Sequence, residues 1–185
     1  MKIVIFTYDK APQERVDNIK VIQKKLQGMV TIHTGSTTAC DNFLDILNKY
    51  SNDDLLLLED DIELCDNFIE EVFSVIEKHK DEVINFHYNH GHGSEEVPSG
   101  AFMYNQCVYY PKRVLKALLK PSKEFKKKYP FFYYNNYWDN MIRVGLLEIR
   151  EDHFIAHEPK LVKHLEYKST IGDYTVTTTN YIGNK

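Results

Sequence analysis

The sequence predicts an α/β domain: a mostly parallel central sheet flanked by helices. Three observations carry that prediction. Short β-branched or aromatic runs alternate with amphipathic segments through the first half of the chain. The four-leucine run Leu55–Leu58 has no polar alternation, as expected of a strand covered on both faces. A length of 185 residues, with 43% hydrophobic content and only 6 Pro, is that of one ordinary folded domain.

The elements follow in order. "KIVIFTY" is a first strand. Pro12, suited to a first helical turn, then opens a helix with Val16, Ile19, Ile22 and Leu26 at helical spacing, and Gly28 stands where it would stop. "MVTIHTG" is a second strand, and "DNFLDILNKY" a helix with Phe43, Leu44 and Leu47 on one face. The turn "SNDD" leads into "LLLLEDD", after which Asp66 or Asn67 can cap a helix carrying Phe68, Val72, Phe73 and Ile76 inward. "EVINFHY" is another strand, "NHGHGSEEVPSG" a polar loop, "AFMYNQCVYY" a strand, and Pro111 opens a helix with Val114, Leu115, Leu118 and Leu119 inward. A helix over "YWDNMIRVGLL" and a short strand near "LEIRE" or "HFIAH" complete a single domain over residues 1–172, with 173–185 expected to be a tail or lid.

Composition narrows the function classes. A net charge of −4 argues against indiscriminate nucleic-acid binding, yet Lys112–Lys128 holds eight basic residues against one acid. The three cysteines, Cys40, Cys65 and Cys107, cannot all pair within one chain and lack metal-ligand spacing, which fits free thiols in a reducing compartment. The N-terminal run reads as a strand and not a signal peptide, and no stretch approaches the ~20 apolar residues that span a bilayer. A cytoplasmic location is the expectation.

The chemistry centres on Glu59, Asp60 and Asp61, three acids directly behind a buried strand. Acids crowded near a core lose solvation and repel one another unless a cation compensates. Hard oxygen ligands suit Mn²⁺ or Mg²⁺, ions that share their coordination sphere with a diphosphate. The alternative is a solvated acidic turn that caps the following helix through its dipole. His87, His90 and His92 lie close together in sequence but lack a fourth zinc ligand, so a loop at the mouth of a site is the better reading.

"LLLLEDDIELCDNFIEEV" resembles the metal-binding signature of nucleotide-sugar glycosyltransferases of the GT-A fold, and is similar to the "EDD-hydrophobic-E" form in N-acetylglucosaminyltransferase I. "YWDNMIR" resembles the family's base-bearing "WDDWMR" segment, and "PKLVKHLEYKSTIG" resembles its late "P-x-L-x-x-H-x-x-x-x-S" element. The three stand in the family's order. The resemblance implies a GT-A, Rossmann-like fold and transfer of a sugar from a nucleotide diphosphate, a UDP-sugar foremost, with Mn²⁺ or Mg²⁺ as cofactor. By position it implies Asp61 and His164 as metal ligands, and Thr7, Arg15, Glu59, Asp60, Lys168 and Ser169 on the donor side. Asp139 would be the general base, with His90, His92, Tyr137 and Trp138 on the acceptor side. Asn140 stands where the family carries a second acid, which leaves inversion or retention of stereochemistry open. The acceptor would be a glycan or a lipopolysaccharide-type precursor, or else a hydroxylated base in phage DNA held by the basic and aromatic stretch. The rival from another class is a non-catalytic nucleotide-binding or regulatory α/β module.

Overall fold

The computed structural model describes residues 1–88 and 95–165. In chain order the strands and helices are β1 (Lys2–Tyr8), α1 (Gln13–Lys25), β2 (Thr31–Gly35), α2 (Ala39–Tyr50), β3 (Leu55–Glu59), β4 (Ile62–Leu64), α3 (Phe68–Lys78) and β5 (Ile84–Asn85). They continue with β6 (Glu95–Pro98), β7 (Cys107–Tyr110), α4 (Lys112–Lys128), α5 (Pro130–Tyr134), α6 (Trp138–Glu148), β8 (His153–Ala156) and β9 (Val162–His164). Seven strands form one sheet in the order β2-β1-β3-β7-β5-β8-β6. Strands β1, β2, β3, β5 and β8 run one way and β6 and β7 the other, so the sheet is mostly parallel.

Alternation along the strands divides the core in two. Leu55 and Leu57, with Val4 and Phe6, face a cluster built by α2, α4, α5 and α6; Leu56 and Leu58, with Ile3 and Ile5, face one built by α1 and α3. All four leucines are fully buried, which contributes roughly 1.5–3 kcal/mol each. The connection β1–α1–β2 steps outward and β2–α2–β3 steps back past β1. Right-handed crossovers in opposite directions set α1 and α2 on opposite faces. The carboxyl ends of β1 and β3 are thereby left side by side, Phe6 opposite Glu59.

Several local expectations are corrected. Val16 and Phe73 are exposed, and Arg15, Asn18 and Val75 are buried in their stead. Phe73 follows Val72 by one residue, about 100° around the helix and so off the Phe68–Val72–Val75 stripe. Helix α4 runs on through Pro121, because its stripe of Val114, Leu115, Leu118, Ser122 and Phe125 keeps the 3–4 spacing beyond the proline. The expected loop before Ser99 contains β6, which pairs antiparallel with β8. Of the two positions weighed for the last sheet strand, "HFIAH" holds β8, while "LEIRE" falls on the end of α6 and the following turn. The two-stranded β4–β9 ribbon was not anticipated. Residues 173–185, read as a tail or lid, lie outside the described residues.

All three cysteines are free and buried, and burial pushes their thiols up. Among the described residues, no helix is long and apolar enough to cross a membrane.

Candidate functional site

The acids that close β3 turn the chain as soon as the strand ends. Glu59 still pairs across the sheet, whereas Asp60 and Asp61 form the turn into β4. Helix α1 holds that turn: Asn18 Nδ2 donates to the carbonyls of Asp60 at 2.8 Å and Ile62 at 2.9 Å. From the other side the β4–β9 ribbon places His164 opposite Ile62, and the Leu165 N–H donates to the Asp61 carbonyl at 2.7 Å.

Arg15, one turn before Asn18 on the same face of α1, supplies the countercharge. Its Nη1 lies 2.7 Å from Asp60 Oδ1 and its Nη2 2.5 Å from Asp61 Oδ2. Thr7, near the end of β1, donates its hydroxyl to Asp60 Oδ2 at 2.6 Å. His164 Nε2 stands 3.3 Å from Asp61 Oδ2. Thr7, Arg15, Asp60 and Asp61, all buried, thus make one connected polar network with His164 at the carboxyl ends of β1 and β3. Within it Asp61 Oδ1 is a buried acceptor without a hydrogen-bond partner. Arg15 Nε of the same network is likewise buried without a partner, so the cluster holds one free donor and one free acceptor, polar capacity that a ligand, water or ion can satisfy.

Electrostatics separate the carboxylates. Burial pushes Asp61 up, but His164 and Arg15 reverse this and hold it below its ordinary value. Burial keeps Asp60 above its ordinary value despite Arg15 and Thr7. Glu59 is held well above the usual range by burial and then by the charges of Asp61, Asp139 and Asp60, with Arg15 opposing.

Asp139, in the first turn of α6, lies close enough to Glu59 for its charge to help raise that carboxyl. Asn105 Nδ2 donates to Asp139 Oδ1, and the Tyr110 hydroxyl donates to Asn105 Oδ1 at 3.1 Å, which fixes the amide. Burial raises Asp139 to about 6, against the Tyr104 backbone N–H, Asn105 and Arg143. A carboxyl whose folded value exceeds its unfolded value near 4 binds its proton more tightly when folded, so its contribution to stability falls as pH rises from roughly 4 through 6.

The remaining expected residues are placed differently. Trp138 is a core residue, 5% exposed, packed 5.4 Å from Phe6 and 5.6 Å from Phe43 between ring centroids. It cannot present its ring to an acceptor, which corrects that assignment: the α6 stripe of Trp138, Met141, Ile142, Gly145 and Leu146 turns it inward. Tyr137, one residue earlier, is exposed. His90, His92, Lys168 and Ser169 lie outside the described residues. His87, of the same histidine stretch, is buried, and burial pushes it down to about 4.

Asn18 and Asn105 were missed by the sequence reading. The signal for Asn18 was its place three residues after Arg15 on one helical face; nothing in "YNQC" marks Asn105. Among the described residues, ligand atoms already close enough to share an ion belong to Glu82, Glu96 and His153, at the opposite edge of the sheet. At Asp60 and Asp61 the Arg15 guanidinium joins the two carboxylates instead.

Thr7→Val tests this network. The valine keeps the shape but removes the donor to a buried carboxylate, a loss of about 1–3 kcal/mol. The melting temperature should fall by roughly 2–10 °C in a thermal scan at pH 7. An unchanged value would mean that Asp60 does not need the bond.

No family model matches the chain, and no curated protein matches it. Among solved structures it is similar to a glycosyltransferase involved in the glycosylation of the major capsid of PBCV-1, with 10% identity, a TM-score of 0.39, and coverage of 86% of this chain and 93% of that one. A likeness at that level fixes neither activity nor substrate.

Proposed function

We propose that the chain is a GT-A-type glycosyltransferase that moves a sugar from a nucleotide diphosphate, a UDP-sugar foremost, to an acceptor hydroxyl with the help of Mn²⁺ or Mg²⁺. The single observation that carries this reading is the buried constellation at the ends of β1 and β3, in which Asp61 keeps an unpartnered oxygen beside His164. A carboxylate oxygen and an imidazole fit an ion that accepts both O and N ligands. Asp61 and His164 would hold it. Bound there, it would neutralise the charge that grows on the departing diphosphate.

The chain's own residues supply the rest. Asp60, fixed by Thr7 and Arg15, presents its carboxylate toward the donor's ribose and base, with Glu59 beside it. Asp139 accepts the proton of the acceptor hydroxyl as that oxygen attacks the anomeric carbon, and the bond from sugar to diphosphate breaks with its electron pair leaving on the phosphate oxygen. Asn140 cannot replace Asp139: an amide does not take a proton at neutral pH, and its Oδ1 accepts from Arg143 Nη2. Activity should therefore rise with pH through about 6 as Asp139 loses its proton. A rate that is flat between pH 5 and pH 7.5 would exclude Asp139 as the base.

The test is a panel of nucleotide sugars incubated with the protein and Mn²⁺, with release of nucleoside diphosphate as the readout. Release with at least one donor is expected, abolished by chelator and by Asp61→Asn. Silence with every donor, alongside retained nucleotide binding, would favour the regulatory module. Release indifferent to chelator would remove the metal.

A further inference from the structure

Three exposed aromatic rings lie together in one short segment. Phe131 and Tyr134 are each 66% exposed and Tyr137 is 44% exposed, three large rings within seven residues of α5 and the turn that follows. Exposed rings grouped in this way mark a contact surface more often than chance. They are also held in place. Phe131 and Tyr137 stand 6.3 Å apart between centroids, with Phe132 within 6.2 Å of Tyr137. The buried Tyr133 donates its hydroxyl to Asp41, and Asn136, at a left-handed φ of 60°, accepts from the Ala39 N–H at 3.1 Å. Both contacts pin the segment to the start of α2. The chain thus fixes a shelf of largely exposed rings immediately before the helical turn that bears Asp139.

Charge says what the shelf receives. Lys126 Nζ lies 4.7 Å from the Tyr133 ring centre and 5.5 Å from that of Tyr134, whereas the charge of Lys127 acts on Glu124. Lys128 is committed to Glu124 and Glu148. A cation beside tilted, exposed rings suits a sugar chain with an anionic substituent: the rings take the C–H faces of the sugar, and Lys126 takes the phosphate, sulfate or carboxylate. Nucleic acid is less well served. It demands many phosphate contacts, while the chain has net charge −4 and its site is lined by Glu59, Asp60, Asp61 and Asp139.

We infer that the shelf of Phe131, Tyr134 and Tyr137, with Lys126, binds an acidic oligosaccharide as the acceptor. The acceptor role rests on the transferase reading above, but the binding itself is measured without any donor. Isothermal titration at low salt compares heparin tetrasaccharide, neutral maltotetraose and a single-stranded oligothymidylate. The acidic tetrasaccharide should bind, more tightly than maltotetraose. Affinity should drop by about tenfold in Phe131→Ala/Tyr134→Ala, as for removal of an anchoring ring pair, and by a few-fold in Lys126→Gln. Both ring positions are largely exposed, so the melting temperature checks that the double variant is folded. Absence of saccharide binding, or binding unchanged in the ring variant, overturns the inference. Tighter binding of oligothymidylate overturns it in favour of nucleic acid. If the tetrasaccharide binds as expected but no nucleotide sugar is turned over, the shelf stands and the transferase reading falls.

Discussion

Replacing Arg15 by methionine is expected to lower the melting temperature in chelator by about 6–20 °C, the largest stability effect of any single change in the site. Arg15 joins Asp60 and Asp61, and both carboxylates are buried. Methionine fills much of the volume but removes the countercharge. Breaking a buried pair from one side costs about 3–5 kcal/mol, because the remaining charge is neither solvated nor paired. The sign with pH follows from Asp61, which is held below its ordinary value and so stabilises the fold above about pH 4. Losing Arg15 weakens that support, and the deficit of the variant should shrink as acid protonates the carboxylates. Millimolar Mn²⁺ is then the informative addition. If Asp61 and His164 hold a cation, Mn²⁺ restores positive charge to the two carboxylates and recovers a large part of the lost melting temperature; binding at 100 times Kd contributes about 2.7 kcal/mol. A variant within about 2 °C of the parent would show that the guanidinium is not what balances these acids.

Asp139→Asn is expected to reduce sugar transfer by about 100- to 10,000-fold, the range that a positioned general base contributes. The introduced amide keeps an oxygen that can accept from Asn105, so the first turn of α6 should hold its position. Stability gives the control. Asp139 is raised to about 6, so at pH 8 its ionised form is a burden on the folded state, and the variant should melt no lower than the parent. Loss of transfer without loss of stability or of nucleotide affinity assigns Asp139 to proton removal. Equal loss of affinity would make it a binding residue instead.

Much of this arrangement was legible in the sequence because it rests on strong patterns. Four leucines without polar alternation, bounded by turn residues, read as a strand buried on both faces, which puts the acids behind it at a strand end. Thr7, near the end of β1, and Arg15, in the first helix, were implied by the family resemblance alone, and the parallel β1–β3 pairing brings both to that end. What escaped was set by tertiary pairing. Strands of three residues, such as Ile62–Leu64 and Val162–His164, have too few alternations to declare themselves, so the ribbon that brings His164 to Asp61 could not be read. Tyr137 and Trp138 are both aromatic, and only the stripe continued through Met141, Ile142 and Leu146 says that Trp138 turns in while Tyr137 stays out. Asn105 acts through one hydrogen bond to a residue 34 positions away, for which sequence carries no sign.

The central claim is that Asp61 and His164 hold a divalent cation that in turn holds a diphosphate. Paramagnetic resonance of Mn²⁺ titrated with the protein, with and without UDP, tests it most directly. The account predicts Mn²⁺ binding that tightens when UDP is present and disappears in Asp61→Asn. UDP binding that is the same with Mn²⁺ and with chelator, or Mn²⁺ binding unaffected by Asp61→Asn, would contradict it.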